Sequence, residues 1–139
     1  MQSYKVLIVD DEYWVKIMLQ EVLINSGFTV FTASDHVEAV EVVKNDQPDI
    51  VILDVNLLDI DGISLLSRLK SIKSDIKAVF ISGSSDAGCI EMAKAHGALG
   101  FFIKPFDILE FATFLIEIST SGMTSRGEGK WEMNGGTVQ

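Results

Sequence analysis

KVLIVDDE, residues 5–12, sets an unbroken run of aliphatic, largely β-branched residues directly against three acids. A run with no polar alternation suits a strand buried on both faces of a parallel sheet. The pattern returns at FTVFTA (28–33), DIVILD (49–54), IKAVFIS (76–82) and LGFFI (99–103). Between these runs the apolar residues adopt helical spacing. Residues 12–26 carry Val15, Met18, Leu19, Val22 and Leu23, with Gly27 as a stop; Ser34 or Asp35 caps a helix to about residue 45, with Ala39, Val40, Val42 and Val43. Further helices are predicted from about residue 63 to 72, from an Asp86 cap to near Gly97, and from Asp107 to near Ser119. Five successive strand–helix units, joined by right-handed crossovers, predict an α/β fold: an open, doubly wound parallel sheet with helices on both faces.

The 139 residues, 47% hydrophobic and 22% charged, have the size and balance of one globular domain. From residue 120 onward Ser, Thr and Gly dominate and apolar periodicity stops, so 1–119 reads as the folded unit and 120–139 as a flexible tail or linker stub. No apolar run approaches a membrane span, the first residues lack the features of a secretory signal, and the lone Cys89 has no internal disulfide partner. The expected location is the cytoplasm. A formal net charge of -9 disfavours direct nucleic-acid binding and anionic membrane surfaces, and favours cations and basic partners; much of this acidity also serves solubility alone.

In open α/β sheets, ligands bind beyond the carboxyl ends of the strands where strand order reverses. At those ends the sequence places Asp10, Asp11 and Glu12 after the first strand, Asp54 after the third, Ser82 after the fourth and Lys104 after the fifth. Taken singly, an acid after a strand is as readily a helix cap or a loop residue. The set is more specific, because four strands deliver compatible chemistry to one edge. Clustered carboxylates require a proton or a cation, and oxygen ligands at an open edge suit Mg²⁺. A hydroxyl and an ammonium opposite them suit phosphoryl oxygens.

With VLIVDDE, DIVILDVNLLDIDG, VFISG and FFIKPF in this order, the chain resembles the response-regulator receiver family, the phospho-accepting modules of two-component signalling, over about residues 4–119. The resemblance implies a flavodoxin-like sheet of order 2-1-3-4-5. It implies Asp54 as phosphoacceptor, Asp11 as a direct Mg²⁺ ligand with Asp54, Asp10 acting through a metal-bound water, and Asn56 giving its backbone carbonyl. Ser82 and Lys104 would contact the phosphoryl group, Phe101 would be the switch aromatic, and the Lys104–Pro105 peptide would be cis. The implied partners are a histidine kinase or a His-containing phosphotransfer protein, with output through a target or a homodimer at the surface of the fourth helix, fifth strand and fifth helix. No turnover of a separate substrate is expected. Two positions depart from the common pattern: Leu58 stands where many members have Pro, which predicts a looser loop, and Ser84 stands where some carry an acid or amide.

Other readings fit less well. An aspartyl phosphohydrolase wants a second acid two residues after the nucleophile, and here that residue is Asn56; a cofactor-binding flavodoxin-like protein wants a Gly- or Ser/Thr-rich phosphate loop after the first strand, where this chain has DDE. A degenerate receiver would lack part of the acid–Ser–Lys set. In DILEFATFLIEI the polar residues Asp107, Glu110, Thr113 and Glu117 form a narrow stripe, which predicts surplus apolar surface on the last helix.

Overall fold

The computed structural model describes residues 3–57, 59–83, 87–121, 131–133 and 136–138. The elements are β1 (Lys5–Val9), α1 (Tyr13–Asn25), β2 (Thr29–Ala33), α2 (His36–Asp46), β3 (Ile50–Asp54), α3 (Gly62–Ile72), β4 (Lys77–Ser82), α4 (Ala87–Ala95), β5 (Gly100–Ile103), α5 (Ile108–Ser121), β6 (Trp131–Met133) and β7 (Gly136–Val138). The first five strands are parallel in the order β2-β1-β3-β4-β5, as expected.

Strand side chains alternate between two faces, and the core is accordingly double. Leu7, Val9, Val51, Leu53, Phe80 and Phe101 point to one layer, where they meet Ala39 and Val43 of α2, Leu65 and Leu69 of α3 and Ala93 of α4. Val6, Ile8, Ile50, Ile52, Ile81 and Phe102 point to the other, against Leu19 and Leu23 of α1 and Phe111, Phe114 and Leu115 of α5. Burial on both sides explains the continuous apolar runs in β1, β3 and β4. β2 is an edge strand, less buried, and its sequence TVFTA is correspondingly more polar.

Local chemistry sets the helix boundaries. The Asp35 carboxylate accepts from the Glu38 N–H at 2.9 Å, which decides between the two candidate caps of α2. Asp61 caps α3 by accepting from the Ser64 N–H at 2.9 Å and its hydroxyl at 2.7 Å. Asp107 does the same for α5 through Leu109 and Glu110. Gly27 and Gly97 adopt positive φ (99° and 81°) after α1 and α4, where a Cβ would be strained. The cap expected at Asp86 lies outside the described residues. Among the described residues no helix is long and apolar enough to cross a membrane.

Two features differ from expectation. β6 pairs parallel to β5 (Gly100 with Glu132, Phe101 with Met133) and β7 pairs antiparallel to β6, so segments expected in a flexible tail extend the sheet to seven strands. An edge strand offers unpaired backbone groups, and pairing with it needs no apolar pattern in the added segment. The signal in the sequence is the dipeptide Asn134-Gly135 between the two stretches, the pair most favoured in two-residue hairpin connections. On α5, Phe111, Ala112, Phe114, Leu115 and Ile118 are all buried. The apolar remainder at the surface is Leu109 and Ile116, narrower than the composition of the helix suggests.

Replacing Asp61 by Ala should cost about 1 kcal/mol, the usual loss for a helix cap, measured by urea unfolding at neutral pH. The bonds from Ser64 hold the Asp61 carboxyl below its ordinary value. The advantage of the native protein over the variant should therefore persist above the ordinary carboxylate range and vanish as pH falls through the lowered value.

Candidate functional site

Register alone brings the acids together. Val9 of β1 pairs with Leu53 of β3, so the next residues, Asp10 and Asp54, emerge level with one another where strand order reverses. Ser82, the last residue of β4, pairs with Ile103 of β5, and the Lys104 N–H donates to the Ser82 carbonyl at 2.7 Å. The Lys104–Pro105 peptide is cis. Asp10, Asp54 and Ser82 are the buried polar or charged residues of the described chain, at 0%, 5% and 0% exposure.

Lys104 is the centre of the site. Its ammonium lies 3.1 Å from Asp54 Oδ2, 3.1 Å from Asp10 Oδ2 and 2.5 Å from Glu12 Oε1. The second oxygen of each buried acid is held by the backbone: Asp54 Oδ1 accepts from the Asn56 N–H at 2.8 Å, and Asp10 Oδ1 accepts from the Glu12 N–H at 2.8 Å. Burial disfavours the charged ammonium, but its hydrogen bonds to Glu12 and Asp54 and the nearby Asp10 carboxylate outweigh that and hold its pKa well above the ordinary lysine value. Burial raises the pKa of Asp10; the Glu12 N–H opposes that rise, the neighbouring Asp54 charge adds to it and Lys104 opposes it.

Ligand oxygens of Asp10, Glu12 and Asp54 all lie within 4.8 Å of one another. Three carboxylates facing one ammonium leave two negative charges unmatched. Asp10 Oδ2 is buried without a hydrogen bond, since Lys104 is within ion-pair distance of it but not in hydrogen-bond geometry. A buried carboxylate oxygen with an ion pair but no hydrogen bond, in a cluster with surplus negative charge, fits a hard divalent cation with oxygen ligands, such as Mg²⁺.

Of the residues singled out from the sequence, Asp10, Asp54 and Lys104 are in mutual contact, Ser82 ends the adjoining strand, and the Asn56 backbone orients Asp54. Asp11 is half-exposed at the bend after β1, and the carboxylate grouped with Asp10 and Asp54 is that of Glu12. Phe101 is fully buried in the layer of α2, α3 and α4. Leu58 and Ser84 lie outside the described residues. On either side of position 58 the loop is tied down: Leu57 and Ile60 pack on the core, the Asp59 carboxylate accepts from the His36 N–H at 3.1 Å, and it also pairs with the His36 ring.

One supporting residue closes a motif quoted from the sequence but was given no role there. Gly62, the first residue of α3, donates its N–H to the Val55 carbonyl at 2.8 Å. A Cβ there would stand 2.5 Å from the Asp54 carbonyl oxygen and 3.0 Å from the Val55 Cα. The bare backbone of Gly62 lets α3 press against the strand end that carries Asp54. Gly62→Ala should destabilise the fold by about 1–3 kcal/mol, the usual range for overpacking, as read by urea unfolding.

Comparison with known proteins agrees with this geometry. Residues 6–115 match the family described as Response regulator receiver domain. Sporulation initiation phosphotransferase F of Bacillus subtilis is 38% identical over 110 residues, spanning 79% of this chain and 89% of that protein. Chemotaxis protein CheY of Bacillus subtilis is 30% identical over 105 residues, spanning 75% and 88%. Among solved structures, the CheX-CheY-BeF3-Mg+2 complex from Borrelia burgdorferi aligns with a TM-score of 0.77 at 29% identity, over 84% of this chain and 90% of that one. A CheY-like response regulator receiver domain protein from Methanospirillum hungatei aligns with a TM-score of 0.81 at 20% identity, over 92% and 100%, and bears on the fold alone.

Proposed function

The chain belongs to the response regulator receiver domain family, and from that premise we propose that Asp54 is the residue that accepts the phosphoryl group, with Mg²⁺ held by the acids around it. The observation that carries this reading is the placement of Asp54: a nearly buried carboxylate, level with Asp10, with one oxygen on the Asn56 N–H and the other on the Lys104 ammonium. The name of the Borrelia burgdorferi structure includes Mg²⁺ and beryllofluoride, the latter a stand-in for a phosphoryl group, and this supports the same assignment here.

In the proposed reaction a carboxylate oxygen of Asp54 attacks the phosphorus of the donor, the P–O or P–N bond to the donor breaks, and the donor leaves with its bonding electrons. The obstacle is repulsion between the carboxylate and an anionic phosphoryl group. Lys104 offsets it with a fixed positive charge, and the Asn56 N–H keeps Asp54 from rotating away. The Ser82 hydroxyl, at the end of the adjacent strand, would donate to a phosphoryl oxygen. Mg²⁺, bound by Asp54 with Asp10 or Asp11 and the Asn56 carbonyl, would neutralise charge on the transferring group. Output would follow from a two-state exchange of Ser82 and Phe101, both fully buried in this conformation, altering the α4–β5–α5 surface.

The phosphodonor is proposed to be a phosphohistidine protein, a histidine kinase or phosphotransfer protein. A groove beside the site is lined by Val15, Met18, Pro105 and Phe106 together with Glu12 and Lys104. Trp14 at 77% exposure, with Tyr13 and Met18 also exposed, continues this apolar surface along α1. Its position next to Asp54 supports docking of the donor here.

Acetyl phosphate with Mg²⁺ should add one phosphoryl group to the wild type by intact mass, and none to Asp54→Asn or after chelation with EDTA. An unlabelled wild type, or equal labelling of Asp54→Asn, would sink the assignment. Trp14→Ala combined with Met18→Ala should slow transfer from a phosphohistidine protein about tenfold or more, the effect of losing anchor residues at an interface, while leaving labelling by acetyl phosphate unchanged.

A further inference from the structure

Glu12 is the closest partner of the Lys104 ammonium, at 2.5 Å against 3.1 Å for Asp10 and Asp54. It precedes the first turn of α1 in the N-cap position, yet its side chain caps nothing in the helix. An acid there would ordinarily turn toward the helix N-terminus; this one reaches across the strand ends to Lys104. Its backbone N–H meanwhile holds Asp10. The Glu12 carboxylate is exposed while Asp10 and Asp54 are buried, so it is the member of the trio that solvent can replace at small cost.

We propose that Glu12 is the resting-state anchor of Lys104, a positioning residue that competes with the phosphoryl group for the ammonium and so sets how readily the phosphorylated state forms. This rests on the reading of Asp54 as phosphoacceptor. Before transfer, one ammonium is shared among three carboxylates. To meet a phosphoryl oxygen on Asp54, Lys104 gives up part of that sharing. Asp10 and Asp54 are fixed by backbone N–H groups and by burial, so the bond that yields is the one to Glu12. Glu12 then turns to water, where a carboxylate is well solvated. Weakening the anchor favours the phosphorylated arrangement; strengthening it favours the resting one.

Two measurements test this on the full chain. In metal-free, unphosphorylated protein, the side-chain ammonium of Lys104 is followed by NMR. It should be ordered in the wild type, and Glu12→Ala should speed its exchange with water. In the second, beryllofluoride is titrated at saturating Mg²⁺. Glu12→Ala should bind it about two- to fivefold more tightly, the scale of one exposed ion pair. Glu12→Gln, which keeps the length and loses the charge, should shift affinity in the same direction by less. Glu21→Gln, which removes an equal charge from the exposed side of α1, should leave it unchanged.

Equal affinity in wild type and Glu12→Ala, or an unaltered ammonium signal, would overturn the anchor. Weaker beryllofluoride binding in Glu12→Ala would also overturn it, by showing that Glu12 supports the cation instead. If the wild type itself binds no beryllofluoride, the phosphoacceptor reading falls and takes this inference with it. That result is told apart from failure of the anchor alone, in which wild type and variant bind equally well.

Discussion

The arrangement at the carboxyl edge of the sheet depends on the charge balance around Lys104. A single ammonium, reached through β5, faces carboxylates that arrive from the ends of β1 and β3. Two of those carboxylates are buried, which is costly for an ion unless it is paired and hydrogen-bonded. Lys104 and the backbone N–H groups of Glu12 and Asn56 supply most of the compensation. What is left over, one Asp10 oxygen without a hydrogen bond and a surplus of negative charge, is a poor design for stability and a good one for receiving a cation.

Much of the remaining fold serves to hold that edge level. The parallel register of β1 with β3 and of β4 with β5 sets the height of Asp10, Asp54, Ser82 and Lys104. Gly62 allows α3 to close directly on the Asp54 backbone, and the capping carboxylate of Asp61 fixes where α3 begins. The bond between Asp59 and His36 at the start of α2, together with the packing of Leu57 and Ile60, restrains the loop that follows Asp54.

The two faces of the sheet divide the work. Phe101 and Phe102 are neighbours in sequence but belong to different core layers, since alternate residues of a strand point oppositely. Phe102 locks α5 onto the sheet through ring contacts with Phe111 and Phe114. Phe101 instead lies in the layer that includes α4, beside the strand whose last residue is Ser82. On the outer edge of β5, pairing with β6 engages Gly100 and Phe101.

The five parallel strands, the two helical layers and the identities of Asp10, Asp54, Ser82 and Lys104 were all legible in the order of residues. Doubly buried strands must be continuously apolar, and the first polar residue after each run marks its end. The α2 cap was legible as far as Ser34 or Asp35, because capping is local chemistry; the Asp61 cap was not singled out. Other features depend on which atoms of distant segments meet. Glu12 and Asp11 are adjacent acids in one loop, and only the approach of β5 selects Glu12 as the partner of Lys104, 92 residues away. Gly62 matters because of the Asp54 carbonyl pressed against it, a contact no glycine announces in sequence. The hairpin of β6 and β7 depends on an open sheet edge beside it, which exists only once β5 is in place. Sequence determined the fold and the chemical inventory of the site, because periodicity and strand ends are one-dimensional properties. Tertiary structure decided which acid holds the lysine and which backbone supports the aspartate, because those are matters of distance across the sheet.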